Sequence, residues 1–217
     1  MSFLARIPYR WATSADEYFQ VRHSPFTMND PTEALRSDPF LGPIVEEEEP
    51  VTVAAASDPF ERLLVSILRQ QVSMEAAAAI EGRLFDRVEP TPADIRKADP
   101  ETMREAGLST AKVEYVKALA ETWADRDWSE SYFADKPDET VVEELTNVRG
   151  VGPWTAKMFL LFGLGRADVF PVEDLGIRTA MKQVIGEDLS RAEMVETAAR
   201  WQPYRSYASQ YLWRTID

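Results

Sequence analysis

Several residue types are absent or scarce in this chain of 217 residues, and each shortage excludes a class of protein. There is no cysteine, which excludes disulfides, thiolate metal sites and iron–sulfur clusters. His23 is the only histidine, so zinc motifs with two histidines are excluded and a histidine-based catalytic triad is disfavoured. No apolar run reaches the about 18 residues of a membrane-spanning helix, so we expect no membrane contact.

The amino terminus also lacks a recognisable export signal. Residues 1–8 contain no apolar core long enough for secretion. Together with the absence of cysteine, this leads us to expect a cytoplasmic, intracellular protein. A hydrophobic content of 45% is ordinary for a globular protein, and the length suits one generous domain or two small ones that share a core.

Basic residues are outnumbered, and the formal net charge is -13. Proteins that bind nucleic acid normally carry a basic patch, so this charge argues against strong binding to phosphate. The charge is unevenly spread, because residues 46–49 are four glutamates whereas residues 149–182 hold five basic and three acidic residues. The acidic block is typical of a solvated surface. The net charge therefore lowers the DNA affinity that we expect and leaves the chemistry of any site open.

A short glycine-containing segment, residues 148–153 (Val-Arg-Gly-Val-Gly-Pro), lies between two stretches with apolar periodicity. Gly150 and Gly152 permit backbone conformations closed to other residues and allow a phosphate to approach the main chain. Pro153 suits the first position of a helix, where its missing amide costs nothing. Free amides at such a helix start form an anion site that needs no charged side chain.

A carboxylate follows at the start of another helical stretch: Asp174, which is 22 residues after Gly152. The amino terminus of a helix favours the ionised form of an aspartate. Glu173 is adjacent, but neighbouring residues do not share a helix face, so we expect one carboxylate in any given cleft. On local sequence alone, the commonest role for Asp174 is that of a simple helix cap.

The hairpin and the aspartate, in this order, resemble the helix-hairpin-helix (HhH-GPD) DNA glycosylase superfamily, most closely its 3-methyladenine DNA glycosylase II (AlkA-type) branch. The residues that carry the resemblance are Gly150-Val-Gly152, Thr155-Ala156, Asp174, the Gln-Gln segment 64–73, and segment 204–208 with Trp213. The resemblance covers roughly residues 58–214. It implies a mainly α, two-lobed helical fold.

The resemblance also implies that Asp174 is the catalytic residue of an enzyme that breaks an N-glycosidic bond. As the bond breaks, the sugar acquires positive charge, and a fixed carboxylate stabilises that charge where it develops. Opposite unit charges about 4 Å apart attract by roughly 4 kcal/mol at an effective dielectric of about 20, which is catalytically significant. The same carboxylate is able to orient or deprotonate the attacking water.

The branch further implies a pocket for the extruded base, formed here by Trp154, Met158 and Trp213. Stacking planes suit electron-poor alkylated purines, whose positive charge adds a cation–π attraction of about 0.5 to 2 kcal/mol. Met158 stands where relatives carry an aromatic residue, so the range of substrates is left open. Relatives that also cut the DNA backbone carry a lysine at the position of Trp154. Because tryptophan has no amine, we expect base removal alone.

The residues implied to contact DNA are Gly150, Gly152, Thr155 and Gln71. Gln71 falls where the branch places the wedge, the side chain that fills the gap left by a flipped nucleotide. Flipping is required because the bond is out of reach inside a duplex. Related hairpins hold a monovalent cation, here through the main-chain carbonyls of Thr146, Val148 and Val151. We therefore expect no required cofactor and no iron–sulfur cluster, with Na+ or K+ as the one candidate ion.

Helical periodicity predicts an all-α core over residues 58–217. The resemblance implies that the hairpin occupies about residues 141–164 and that the active site lies in the cleft between the two lobes. Asp58-Pro59 and Asp99-Pro100 indicate helix starts, and residues 91–94 (Thr-Pro-Ala-Asp) have the form of a capping box. We interpret residues 1–57 as a shortened remnant of the β-rich domain of the branch, with short strands at residues 17–22 and 51–54.

The function that we infer is a monofunctional DNA N-glycosylase of base excision repair, which flips out and excises alkylated purines such as 3-methyladenine. We expect it to act as a monomer on double-stranded DNA that contains damaged bases. Two alternatives stay open: a glycosylase for deaminated or oxidised bases, and a non-catalytic helix-hairpin-helix protein that only binds DNA. The non-catalytic alternative needs neither Asp174 nor Trp213.

Overall fold

The computed structural model describes residues 30–186 and 189–216, and within them the protein is almost wholly helical. These residues contain no β-strand, and one isolated antiparallel bridge joins Ala55 to Leu164. The described residues form two compact units: one contains residues 30–52 together with residues 172–186 and 189–216, and the other is Val53–Pro171. The mainly α fold class is therefore confirmed. None of the helices in the described ranges is long and apolar enough to cross a membrane.

Short and medium-length helices account for the regular structure of both units. In chain order they are α1 Pro31–Arg36, α2 Gly42–Glu47, α3 Pro59–Leu68, α4 Met74–Phe85, α5 Pro92–Lys97, α6 Pro100–Glu105, α7 Thr110–Asp125, α8 Glu130–Phe133, α9 Asp138–Thr146, α10 Pro153–Met158, α11 Leu175–Ile185, α12 Arg191–Ala198 and α13 Arg205–Trp213. A π-helical turn, Phe159–Gly163, continues α10, and a 3₁₀ turn, Ala199–Trp201, follows α12.

Local sequence signals set many of the helix starts. Asp58 and Asp99 each place a carboxylate oxygen on an amide of the first turn, and the proline after each aspartate occupies that turn. Thr91 caps α5 by accepting the Asp94 amide at 3.1 Å. The predicted capping box is only half formed, because the Asp94 carboxylate accepts from the Thr91 hydroxyl while the Thr91 amide donates to the Glu89 carbonyl.

The Val53–Pro171 unit is built around α3, most of whose side chains are buried. Phe60 of α3 meets Trp123 of α7 edge-on, with ring centroids 5.4 Å apart, and Phe133 and Phe159 complete the cluster. Edge-to-face pairs of this kind contribute about 0.5–1.5 kcal/mol each beyond the area that they bury. Because α3 also packs against α10 and its π turn, this aromatic core holds the helix that follows the hairpin.

The described residues before this unit are helical rather than β-structured. The prolines of α1 and α2, Pro31 and Pro43, sit in the first turn, where a missing N–H is tolerated. The predicted strand at residues 51–54 is wrong, because these residues form no ladder and only the next one, Ala55, makes a single bridge. The predicted strand at residues 17–22 lies outside the described residues.

In the other unit, α11 and α1 both pack against α13. Two side chains of α13 form hydrogen bonds with the backbone of the chain after α2. The Val51 amide donates to the Tyr211 hydroxyl at 3.4 Å, and Gln210 Nε2 donates to the Thr52 carbonyl at 2.9 Å. Residues 30–52 therefore pack with the carboxy-terminal helices. The division of the chain at residue 57 stays a prediction.

Candidate active site and hairpin

Asp174 begins α11, and one of its carboxylate oxygens is held by two donors. The residue is half-buried and has the extended backbone angles of a helix cap, φ -69° and ψ 131°. Oδ1 accepts the backbone amide of Ile177 at 3.0 Å and the indole N–H of Trp213 at 2.9 Å. The first bond is the ordinary capping bond. The second comes from a residue 39 positions away along the chain.

Trp213 ends α13 with its side chain buried at 2% exposure. A buried indole N–H requires an acceptor, and the acceptor in this protein is a carboxylate. Hydrogen bonds to an ionised group are about twice as strong as neutral ones. Because α13 also packs against α11, the indole orients the Asp174 carboxylate on a rigid support. This contact is additional to the base-pocket role predicted for Trp213, which stays a prediction.

Gly176, in the first turn of α11, makes the approach of Trp213 possible. A Cβ atom at this position would lie 2.8 Å from Ile216 Cδ1, 3.0 Å from Asp174 Oδ1 and 3.1 Å from Trp213 Cδ1. All three distances are shorter than ordinary van der Waals contact, so a larger residue would force its neighbours to shift. Sequence reasoning missed Gly176. The available signal was a glycine inside a helix, which costs about 1 kcal/mol relative to alanine and therefore needs a packing reason.

The loop in front of Asp174 is fixed by Arg178. Its Nη1 donates to the Val172 carbonyl at 3.2 Å and to the Glu173 carbonyl, so the loop cannot move away without losing two charge-assisted bonds. On the other side of Asp174, the Leu175 side chain is 70% exposed. Along the chain, Asp174 therefore lies between a loop that Arg178 fixes and the exposed residue Leu175.

The two glycines of the hairpin meet different demands. Gly150 has φ +90°, and a Cβ there would lie 2.1 Å from Cγ of Tyr115, so only glycine fits. Gly152 caps α10 with ordinary extended angles, and a Cβ there would meet nothing within 4 Å. The fold itself therefore gives no reason for glycine at position 152, and the space in front of it is open to an external group. Pro153 occupies the first turn of α10, which confirms that prediction.

Gln70, the residue before the predicted wedge Gln71, joins the hairpin to the end of α3. The role of Gln71 as the wedge stays a prediction. Gln70 Nε2 donates to the Gly150 carbonyl and to Oγ1 of Thr155, both at 2.9 Å. Thr155 is buried and so serves the internal structure of the hairpin. Gln71 is exposed and has φ +55°, in the left-handed region that residues with a Cβ rarely adopt. The sequence shows two glutamines after α3, but only tertiary contacts distinguish them.

The residues predicted to form the base pocket fall in both units. Trp213 lies with Asp174 in the unit that contains α11 to α13, whereas Trp154 and Met158 lie on α10 in the other unit. Met158 is completely buried, and Trp154 is half-buried. A pocket that combines these three side chains stays a prediction.

The carbonyls predicted to hold a monovalent cation belong to the turn between α9 and α10. The Val148 carbonyl accepts the Val151 amide at 3.0 Å, and a carbonyl oxygen has a second lone pair for a further ligand. The Thr146 hydroxyl donates to the Val142 carbonyl at 2.8 Å, so it is engaged within α9. Main-chain carbonyl oxygens are the donors that Na+ and K+ sites use, and this donor set fits such an ion.

Comparison with known families gives the class of the protein. The model of the HhH-GPD superfamily base excision DNA repair protein matches residues 64–203, which make up most of the chain. The matched part includes Gln71, the hairpin and Asp174. The chain belongs to the HhH-GPD superfamily.

Individual relatives are similar along most of this chain. It is 32% identical over 166 residues to DNA-3-methyladenine glycosylase 1 of Schizosaccharomyces pombe, covering 73% of this chain and 72% of the relative. It is 34% identical over 194 residues to the DNA-3-methyladenine glycosylase of Saccharomyces cerevisiae, covering 83% and 64%. The chain thus spans about two thirds of the length of these curated relatives. The structure of S. pombe Mag1 in complex with abasic DNA matches with a TM-score of 0.78 at 28% identity, over 85% of this chain and 95% of that chain.

Proposed function

We propose that this protein is a monofunctional DNA N-glycosylase that removes alkylated purines such as 3-methyladenine from double-stranded DNA and leaves an abasic site. The observation that carries the proposal is the Asp174 carboxylate, fixed at a helix start by the Trp213 indole in a chain of the HhH-GPD superfamily. Relatives in two yeasts are named DNA-3-methyladenine glycosylases, which supports the choice of substrate. The protein acts as a monomer, inside the cell, on chromosomal DNA.

Asp174 supplies the negative charge that the reaction needs. As the bond between base and sugar lengthens, the base leaves with the bonding electrons and the sugar becomes an oxocarbenium-like cation. A carboxylate about 4 Å from that cation stabilises it by roughly 4 kcal/mol at an effective dielectric of about 20. Two donors already hold Oδ1, so little reorganisation is needed when the charge develops. Asp174 then orients the water that adds to the sugar and accepts the proton that this water loses, which leaves a hydroxyl group on the abasic sugar.

Trp154 limits the reaction to base removal. A glycosylase that also cuts the backbone needs an amine to form an imine with the sugar, and an indole has none. The same ring offers a stacking surface to an electron-poor alkylated purine, with a cation–π contribution of about 0.5 to 2 kcal/mol. Met158 and Trp213 are the other two residues to which we assign contact with the flipped base. Gln71 enters the gap in the duplex, where its amide is able to hydrogen-bond the orphaned partner base.

The hairpin binds the DNA backbone through amides at the start of α10. The open space at Gly152 lets a phosphate approach the main chain, and no basic side chain is needed, which suits a chain with a net charge of -13. Na+ or K+ on the carbonyls of Thr146, Val148 and Val151 would add a positive charge to the same turn. Because few lysine or arginine side chains displace counterions, the affinity falls only modestly as salt rises.

Release of free bases from defined substrates tests this proposal. Duplex DNA treated with a methylating agent is compared with duplexes that carry hypoxanthine or 8-oxoguanine, and the released bases are separated by chromatography. We expect 3-methyladenine to be released, with the strands left uncut. Preferential release of hypoxanthine or 8-oxoguanine would favour the alternative substrates. Binding to all duplexes without release of any base would favour the non-catalytic alternative.

A further inference from the structure

Gln70 makes a pair of hydrogen bonds that the chemistry at Asp174 does not require. Its side-chain nitrogen donates to the Gly150 carbonyl and to Thr155 Oγ1, each at 2.9 Å. These partners are 80 and 85 residues away in sequence and lie on either side of Gly152 along the chain. A carbonyl oxygen only accepts hydrogen bonds, so the amide nitrogen of Gln70 has to face Gly150.

The chain on both sides of Gln70 is also constrained. α3 ends at Leu68, whose carbonyl accepts the Lys112 ammonium group at 2.6 Å. Gln71 follows Gln70 directly with φ +55°, a conformation that is unfavourable for a residue with a Cβ and persists when its surroundings impose it. The contacts of Leu68 and Gln70 therefore fix the turn that carries the exposed Gln71 side chain.

The hairpin end of the contact is equally well fixed. Gly150 packs directly on the Tyr115 ring, which leaves no room for a side chain. Thr155 is buried in the first turn of α10. Gln70 therefore hydrogen-bonds the hairpin at one residue before Gly152 and at one residue after it. Gly152 itself has open space in front of it. A displacement of the hairpin would therefore reach Gln70, and the adjoining Gln71, through these two hydrogen bonds.

We propose that Gln70 is a positioning residue that couples the hairpin to Gln71, so that phosphate binding and entry of Gln71 into the duplex form one step. The inference rests on the proposed function and adds the link between its two DNA contacts. With the coupling, the Gln71 turn is already ordered when the hairpin binds. Without the coupling, the hairpin would still bind DNA. The free-energy cost of ordering the Gln71 turn would then be added to the cost of nucleotide flipping.

Gln70→Met tests the coupling, because methionine matches glutamine in length but carries no hydrogen-bond donor and no charge. Binding to undamaged duplex, measured by fluorescence anisotropy, should weaken by no more than about threefold, since backbone amides hold the phosphate. Flipping, measured as the fluorescence rise of 2-aminopurine beside an abasic-site analogue, should become roughly tenfold to hundredfold less favourable. The matched control is Gln183→Met, at an exposed position of α11, which should change neither reading.

Two results would overturn the coupling. If Gln70→Met weakens binding to undamaged duplex and flipping by the same factor, Gln70 serves only the fold of the hairpin. If flipping stays at the wild-type level, the two hydrogen bonds do not act on Gln71. Should Gln70→Met fail to fold, Thr155→Val removes one of the two acceptors and should reduce flipping less strongly, with Thr155→Ser restoring it.

The fluorescence reading needs no base release, so the coupling and the proposed function fail separately. Wild-type protein that flips the nucleotide but releases no methylated base would overturn the proposed function and leave the coupling in place. Wild-type base release together with unaltered flipping by Gln70→Met would overturn the coupling alone. Wild-type protein that neither binds nor flips would overturn both.

Discussion

Asp174 is a helix cap, and the proposed role of charge partner has the same physical requirements as that cap. As a cap, its Oδ1 accepts the Ile177 amide and is held rigidly in place. A carboxylate that stabilises a developing sugar cation must also be fixed and charged before the reaction begins. The Trp213 indole adds an orientation that an ordinary cap lacks. The capping and catalytic interpretations of Asp174 therefore do not compete.

Asp174→Asn separates these roles. Asparagine caps helices about as well as aspartate, so the free energy of unfolding should change by less than about 1 kcal/mol. The negative charge is lost, so the single-turnover rate of base release should fall by roughly two orders of magnitude or more. Urea unfolding and quenched single-turnover assays on methylated duplex measure the two quantities. A wild-type rate in this variant would remove Asp174 from the mechanism.

Gly176→Ala tests whether the Asp174–Trp213 contact needs a residue without a side chain between its partners. The added methyl group forces the carboxylate or the indole to shift by a few tenths of an ångström, and misplacement of a catalytic group slows the reaction. We expect base release to slow by about tenfold or more. Stability should change by less than about 1 kcal/mol, because the gain in helix propensity offsets the crowding.

The matched control for this substitution is Gly82→Ala in α4. A Cβ at Gly82 would meet nothing within 4 Å, so the control adds the same methyl group to a helix without crowding. It should stabilise the protein by about 0.5–1 kcal/mol and leave base release unchanged. If both variants release base at the wild-type rate, the close packing at Gly176 is irrelevant to catalysis.

The two glycines of the hairpin differ in backbone conformation and in the space around them. Gly150 is required by the fold, because its positive φ and the Tyr115 ring exclude any side chain. Gly152 is not required by the fold, since its backbone is ordinary and its surroundings are open. The open space at Gly152 leaves room for a group from outside the protein, and a phosphate on the amides of α10 is the group that we propose.

Gly152→Asp should therefore affect DNA binding and leave folding intact. The substitution adds a negative charge and a side chain where the phosphate approaches, so binding to every duplex should weaken by the same factor, roughly tenfold or more. Discrimination between damaged and undamaged DNA should change little, because phosphate contacts carry no base information. Anisotropy titrations with both duplexes, beside thermal unfolding, provide the measurement. Normal binding by a folded Gly152→Asp variant would move the DNA surface elsewhere.

The molecule carries a net charge of -13, which opposes its approach to DNA over long distances. Such a protein has to find DNA through local contacts at short range rather than through electrostatic steering. Main-chain amides and stacking side chains are contacts of that kind, because neither depends on a basic surface. Under the proposed function, contacts of this kind would allow DNA binding despite the acidic surface, at the cost of affinity.

The product of the complete reaction tests the proposal that this protein removes a base without cutting DNA. Methylated duplex treated with the wild-type protein should contain intact abasic sites and break only after alkali or an endonuclease is added. No covalent complex should form on reduction with borohydride, because Trp154 offers no amine for an imine. A borohydride-trapped adduct on a denaturing gel would show that another amine takes part, and the monofunctional assignment would be wrong.

Much of the helical core could be read from signals that lie within a few residues of one another. The caps at Asp58 and Asp99, the proline at 153 and the glycine turn before it each act over a single helical turn, where chain geometry leaves few alternatives. The missing amine at Trp154 is equally local. The strand expected at residues 51–54 was wrong, since the β-branched residues of an isolated segment also suit an irregular connection between helices.

Packing settled the features that join distant parts of the chain. It placed Trp213 on Asp174 across 39 residues, gave Gln70 rather than Gln71 the contacts with the hairpin, and explained the glycine at 176. It also grouped residues 30–52 with α13. Each of these outcomes depends on many weak contacts that form together once the core is filled. A segment of a few residues cannot specify these contacts, because they join distant parts of the chain. A helix cap or a turn, by contrast, is specified within a single short segment.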